Sequence, residues 1–108
     1  MQDDHDPAAA RRAYETVDID GWTERFALLA DPTRLRLLLC LHYMPGLNVG
    51  QIANVTEVSP TVVSQSLRRP RGNGWVVSEK DGREQIYRLA DERLHAMLHA
   101  IGARHSGE

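Results

Sequence analysis

Twice between residues 20 and 104 a side chain able to cap a helix stands directly before a proline: Asp31-Pro32 and Ser59-Pro60. The capping oxygen accepts from an amide of the first turn that has no intrahelical partner. Proline at the first helical position lacks an amide where none is needed. Two helix starts are thereby fixed. The first opens "ADPTRLRLLLCLHYM", with Leu35, Leu38, Leu39 and His42 expected on one face and Pro45-Gly46 as the stop. The second opens "SPTVVSQSLRR", where Val63 and Leu67, one turn apart, are expected to face inward. Thr61, Ser64, Gln65 and Arg68 then fall on the outer side.

Between them Asn48 starts a short helix, "VGQIANV", which a turn near residues 56–58 joins to the helix after Ser59. Two short helices in that arrangement form a helix-turn-helix pattern. "WVVSEKDGREQIYRL" follows, two β-rich runs around Asp81-Gly82, the signature of a tight hairpin. Upstream, Asp20 is expected to cap a helix carrying Trp22, Phe26 and Leu29. Downstream, Asp91 caps one whose Leu94, Met97, Leu98 and Ile101 recur at helical spacing. The expected fold is mainly α with a β-hairpin wing: a winged helix-turn-helix of about five helices and two strands. Residues 1–19 are expected to be an acidic, flexible segment with at most a short helix in "PAAARRAYE". Residues 20–104 are expected to form the domain, and 105–108 a tail.

The chain has 108 residues and a net charge of −2, which does not itself point to nucleic acid. Distribution is more telling. Residues 1–24 carry seven acids against Arg11 and Arg12, a local charge of −5. Residues 60–90 carry Arg68, Arg69, Arg71, Lys80, Arg83 and Arg88 against Glu79, Asp81 and Glu84, a local charge of +3. The basic excess coincides with the hydroxyl-rich helix. A helix entering a major groove needs side chains that are short or extend flat. Thr61, Ser64 and Ser66 are short, Gln65 suits an adenine edge, and Arg68 and Arg69 suit guanine or phosphate. Arg83 at the hairpin tip suits the backbone or the adjacent minor groove. The bland alternative, hydroxyls that merely cap and solubilise a short helix, holds for any one of these residues taken alone.

"LADPTRLRLLLCL", "VGQIANVTEVSPTVVSQSLRR" and "VVSEKDGREQIYRLAD" together resemble the ArsR/SmtB family of bacterial transcriptional regulators over residues 21–103. The resemblance implies a homodimer built on the first and last helices of the domain. Trp22, Phe26, Leu94, Met97, Leu98 and Ile101 would lie at its seam. It also implies an inverted-repeat operator in double-stranded DNA, and an affinity changed by a metal or other signal. The sequence departs from the family in two places on the expected reading helix. Pro70 stands where leucine is usual and should end or kink that helix early. Ser66 lies where a histidine is common, so any base contact of that histidine is lost.

The family's last-helix metal site is also altered. Asp91 matches, but Arg93 stands at the first histidine position and Arg104 at the second, with His105 one residue late and Gly107 at the last. The family's cysteine site near the third helix is missing too, since "LNVGQIA" holds no Cys. Asp91, His95 and His99 instead recur one helical turn apart and form a candidate N/O shell, completed by His5, His105 or a partner chain. Such a shell suits a divalent metal such as nickel or zinc. The alternative is that these histidines are solvated residues beside the dimer seam.

Cys40 is the sole cysteine, which excludes an internal disulfide and a four-thiolate zinc site within one chain. Within "LLLCLH" it reads as a small core residue. His42 is expected to border the same core, and Trp75 to pack at the start of the wing. No run of 18 apolar residues occurs and the N-terminus is acidic, so no membrane role and a cytoplasmic location are expected. No Ser/His/Asp set, phosphate-cradling glycine loop or paired carboxylates can be assembled, which argues against an enzyme. The other readings are a winged-helix protein-interaction module, or a regulator whose metal sensing is lost or delegated to a partner protein.

Overall fold

The computed structural model describes residues 6–102. Both cap-and-proline signals start helices. Asp31 Oδ1 accepts from the Thr33 and Arg34 amides at 2.9 and 3.3 Å, opening α3 (Pro32–Tyr43). Ser59 Oγ accepts from the Val62 amide at 3.2 Å, opening α5 (Pro60–Ser66). Between them α4 (Val49–Thr56) begins with a reciprocal capping box: Asn48 accepts from the Gln51 amide, and Gln51 accepts from the Asn48 amide. Glu57 closes α4 in the left-handed region at φ 59° and turns the chain into α5.

Seven helices and one hairpin form among the described residues, more helices than expected. One addition is α1 (Pro7–Glu15), capped by Asp6, in the segment expected to be irregular apart from "PAAARRAYE"; it buries none of its residues. The other comes from Pro70. Lacking an amide, Pro70 cannot donate to the Ser66 carbonyl, and its ring would clash there. The reading helix therefore stops at Ser66 and resumes as the short α6 (Arg68–Gly72), with Pro70 itself buried.

The cap of α2 (Ile19–Leu29) is Asp18, not Asp20; its Oδ1 accepts from the Gly21 amide at 3.1 Å. Asp20 sits in the first turn, where negative charge favours the positive end of the helix dipole. Strands β1 (Val76–Asp81) and β2 (Glu84–Leu89) pair antiparallel from Val76↔Leu89 to Asp81↔Glu84. The hairpin's central residues are thus Gly82-Arg83, one position later than expected, with Gly82 at φ 67°. Glycine at the first central position with positive φ is the type II′ solution that matches strand twist. Tyr87 bridges back to Leu47, anchoring the wing root to the loop after α3.

Helix α3 is central, touching α2, α4, α5, β2 and α7 (Glu92–Ala100). That position moves its buried face from the expected Leu35/Leu39 side to Leu37, Leu38, Leu41 and His42; Leu35 and Leu39 are half-buried. Leu28, Leu47, Ile52, Val63, Leu67, Val76, Tyr87, Leu94 and Leu98 complete one core. Cys40 is half-buried against it, and burial pushes its thiol pKa up, as befits a packing residue.

Candidate nucleic-acid interface

Val63 and Leu67 face inward, as their spacing predicts, and hold α5 on α3 and α4. This orientation leaves Thr61, Ser64, Gln65 and Arg68 exposed and Ser66 half-buried. Among the described residues no hydrogen bond or ion pair engages the side chains of Thr61, Ser64, Gln65 or Arg68. Arg83 is exposed at the hairpin tip.

Arg69 is placed differently from expectation. Its Nη2 donates to Glu24 Oε1 at 2.8 Å, so the guanidinium is turned back to α2. The break before Arg68 separates it from the α5 face.

A recess of about 490 Å³ opens between α6 and the wing, lined by Arg68, Arg71, Gly72, Gly74, Val76, Val77 and Ser78. Arg71 lies over the Tyr87 ring at 5.5 Å, and its Nη2 donates to Ser78 Oγ at 3.1 Å. Gln85 Nε2 donates to the same oxygen at 2.9 Å. Sequence reasoning counted Arg71 only as local charge. The signal that it matters was Pro70, whose break sets the direction of the residues after it.

The MarR-family model matches residues 31–84, from the start of α3 to the start of β2. The regulator YgaV of Escherichia coli is 30% identical over 65% of this chain and 71% of its own length. The repressor SmtB of Mycobacterium tuberculosis is 35% identical over 83% of this chain, a match that spans 65% of SmtB. A homodimeric winged helix-turn-helix DNA-binding domain of Mycobacterium bovis, described as a possible ArsR-family regulator, superposes with a TM-score of 0.67. It is 26% identical and covers 94% of this chain and 86% of that one. The chain belongs to the ArsR/SmtB family. It is a winged-helix transcriptional regulator.

Burial divides the seam residues that the ArsR/SmtB resemblance implied. Leu94 and Leu98 are fully buried in the protomer's own core. They sit on the inner stripe of α7, and Met97 beside them is half-buried. Trp22 is half-buried against the Arg25 guanidinium, which stacks between Trp22 and Trp75 at 5.2 and 5.3 Å from the ring centres. Phe26 and Ile101 remain exposed, at 55% and 56%, together with Tyr14, Val17 and Ile19.

Among the described residues the metal set is not assembled. Asp91 caps α7 through the Leu94 amide at 3.0 Å and accepts from Arg25 Nε at 2.8 Å, so its carboxylate is engaged. His95 and His99 lie beside the buried His42, with ring centres 4.3 and 5.8 Å from it. Among the described residues no three His, Cys, Asp or Glu side chains are arranged to hold a metal ion. His5 and His105 lie outside the described residues. Nor is any described helix long and apolar enough to cross a membrane.

Proposed function

We propose that this regulator acts as a homodimer that reads an inverted repeat in double-stranded DNA, with α5 in the major groove. The observation that carries this reading is the solvent face of α5: Thr61, Ser64 and Gln65 are exposed, short or flat, and committed to no partner within the described chain. Gln65 offers the bidentate amide that pairs with an adenine edge, and the serines and threonine reach bases or phosphates without bulk. The wing, with Arg83 at its tip, flanks that face.

Dimerisation is supported by exposed apolar side chains near the two ends of the described chain: Tyr14, Val17, Ile19, Phe26 and Ile101. They sit on α1, its link to α2, α2 itself and the end of α7, and the M. bovis relative is a homodimer. Two α5 helices in such a dimer would meet successive major grooves about 34 Å apart.

Fluorescence anisotropy with the duplex upstream of the gene, against random duplex, tests the reading. Selective binding by the wild type, with the preference lost in Gln65→Ala, is the expected result. Equal binding to both duplexes by the wild type would favour a winged-helix protein-interaction module instead.

A nickel or zinc response is a second reading, favoured only by the adjacent imidazoles of His95 and His99 on α7. The described residues do not by themselves fit a metal, so further donors would have to come from a second protomer or from residues outside 6–102. Calorimetric titration of nickel or zinc into the wild type and into His95→Ala/His99→Ala decides it. Heat that survives the double substitution removes these ligands. If the wild type gives no heat either, sensing is lost or rests with a partner protein.

A further inference from the structure

The recess between α6 and the wing is built of hydrogen-bond donors. Ser78 Oγ accepts from both Arg71 Nη2 and Gln85 Nε2, which uses its two lone pairs. What the hydroxyl has left is one proton to donate. Arg71 is held in place twice, by Ser78 and by the Tyr87 ring, while Arg68, at the start of the same α6, has no partner among the described residues. Lys80 projects from the same strand face two residues beyond Ser78, since β side chains alternate. No carboxylate lines the recess; Glu79, on the opposite strand face, is paired with Arg88 at 2.6 Å. A site with two guanidinium groups, a donating hydroxyl and no acid suits a tetrahedral oxyanion.

We propose that this recess seats a backbone phosphate of the bound duplex, flanking the groove that α5 reads. The seat exists because Pro70 breaks the helix. A continuous helix would carry Arg71 along the α5 axis, whereas α6 brings it against Ser78 and Tyr87 of the wing. The backbone phosphate is thereby gripped from two sides, by the end of the reading helix and by the hairpin. Such a contact fixes register and carries no base information. The inference rests on the DNA-binding reading, and its test separates the two.

The affinity of the wild type, Arg68→Ala, Arg71→Ala, Arg71→Lys and Ser78→Ala is measured on upstream and random duplex over a series of salt concentrations. Each neutralised phosphate contributes about 0.9 to the slope of log affinity against log salt. Arg68→Ala and Arg71→Ala should each lower the slope by about that amount and weaken both duplexes roughly tenfold. Arg71→Lys should keep most of the slope, because charge without the fork still releases counterions. Ser78→Ala should weaken both duplexes with little change of slope. Melting temperatures close to wild type exclude a folding cause. If the wild type binds DNA and the arginine variants keep its slope, the seat is wrong and the DNA reading stands. If the wild type binds no DNA, the backbone-phosphate assignment falls. Inorganic phosphate is then titrated against the Arg68 and Arg71 Nε–H resonances, with chloride at equal ionic strength as control. Shifts with phosphate alone would reassign the seat to a free phosphate, and their absence would overturn it altogether.

Discussion

Arg25 Nε donates to Asp91 Oδ2 at 2.8 Å, and Nη2 reaches the other carboxylate oxygen at 3.4 Å. The pair ties α2 to the first turn of α7 with side chains only 8% and 17% exposed. Trp22 and Trp75 close over the guanidinium on either side. Asp91 is therefore a joint between two helices and the wing root, and its conflict with a ligand role is chemical: a metal would have to displace Arg25.

The joint predicts an acid-sensitive fold. Burial pushes the Asp91 carboxyl up, but the Arg25 hydrogen bond, the Leu94 amide and the charges of Arg25 and Arg93 together hold it below the ordinary carboxylate range. Folding thus favours the ionised form. Its contribution is complete above the unfolded value of about 4 and is lost as pH falls through the lower folded value. Asp91→Asn should keep the cap, cost about 2 kcal/mol near neutrality and flatten the pH dependence of stability below about pH 4. Urea denaturation across that range checks it; a slope equal to wild type would show that Asp91 is not the titrating joint.

Phe26 and Leu98 should respond in opposite ways. Leu98 is fully buried, so Leu98→Ala should cost about 2–5 kcal/mol by removing methyl groups and leaving a cavity. Phe26 is exposed, so Phe26→Asp should leave the protomer fold near intact and shift dimer to monomer. Sedimentation velocity with parallel melting curves separates the effects. A stable dimer in Phe26→Asp would move the seam elsewhere.

The sequence made the helix-turn-helix legible because its signals are local. Asn48 with Gln51, and Ser59 with Pro60, act within four residues, and each capped the helix it announced. What it hid depends on partners far along the chain. The spacing of Leu94, Met97, Leu98 and Ile101 marks an apolar stripe but not whether its own core or a second protomer covers it; burial divides the four. Asp91, His95 and His99 share a helix edge, yet Arg25, 66 residues away, claims the carboxylate. Arg69 looked like a phosphate contact until Glu24 was placed beside it. Pro70 announced a break, but where Arg71 would then point depended on packing against Tyr87.

Glu24 should restrain Arg69. Both side chains are about half exposed, at 51% and 47%, so the pair contributes well under about 1 kcal/mol to stability. Glu24→Gln should leave the melting curve almost unchanged and release a cation next to α5. The expected result is tighter binding to upstream and random duplex alike, with a steeper salt slope. Arg69→Ala should then weaken DNA binding less than Arg68→Ala does. A larger loss for Arg69→Ala would mean that DNA draws Arg69 away from Glu24.

Pro70→Leu tests what the break does. Leucine restores an amide at position 70 that can donate to the Ser66 carbonyl, joining α5 and α6 into one helix. The restored amide should be protected from hydrogen exchange, and Arg71 should turn away from Ser78 and Tyr87. Proline to leucine inside a helix favours helicity by up to about 3 kcal/mol, but the buried ring of Pro70 has shaped its own packing, so net stability should change by less. The decisive reading is on DNA. If the break positions Arg71, Pro70→Leu should lose the same increment of salt slope as Arg71→Ala, and combining the two should lose no more. Additive losses would mean that Arg71 acts independently of the break.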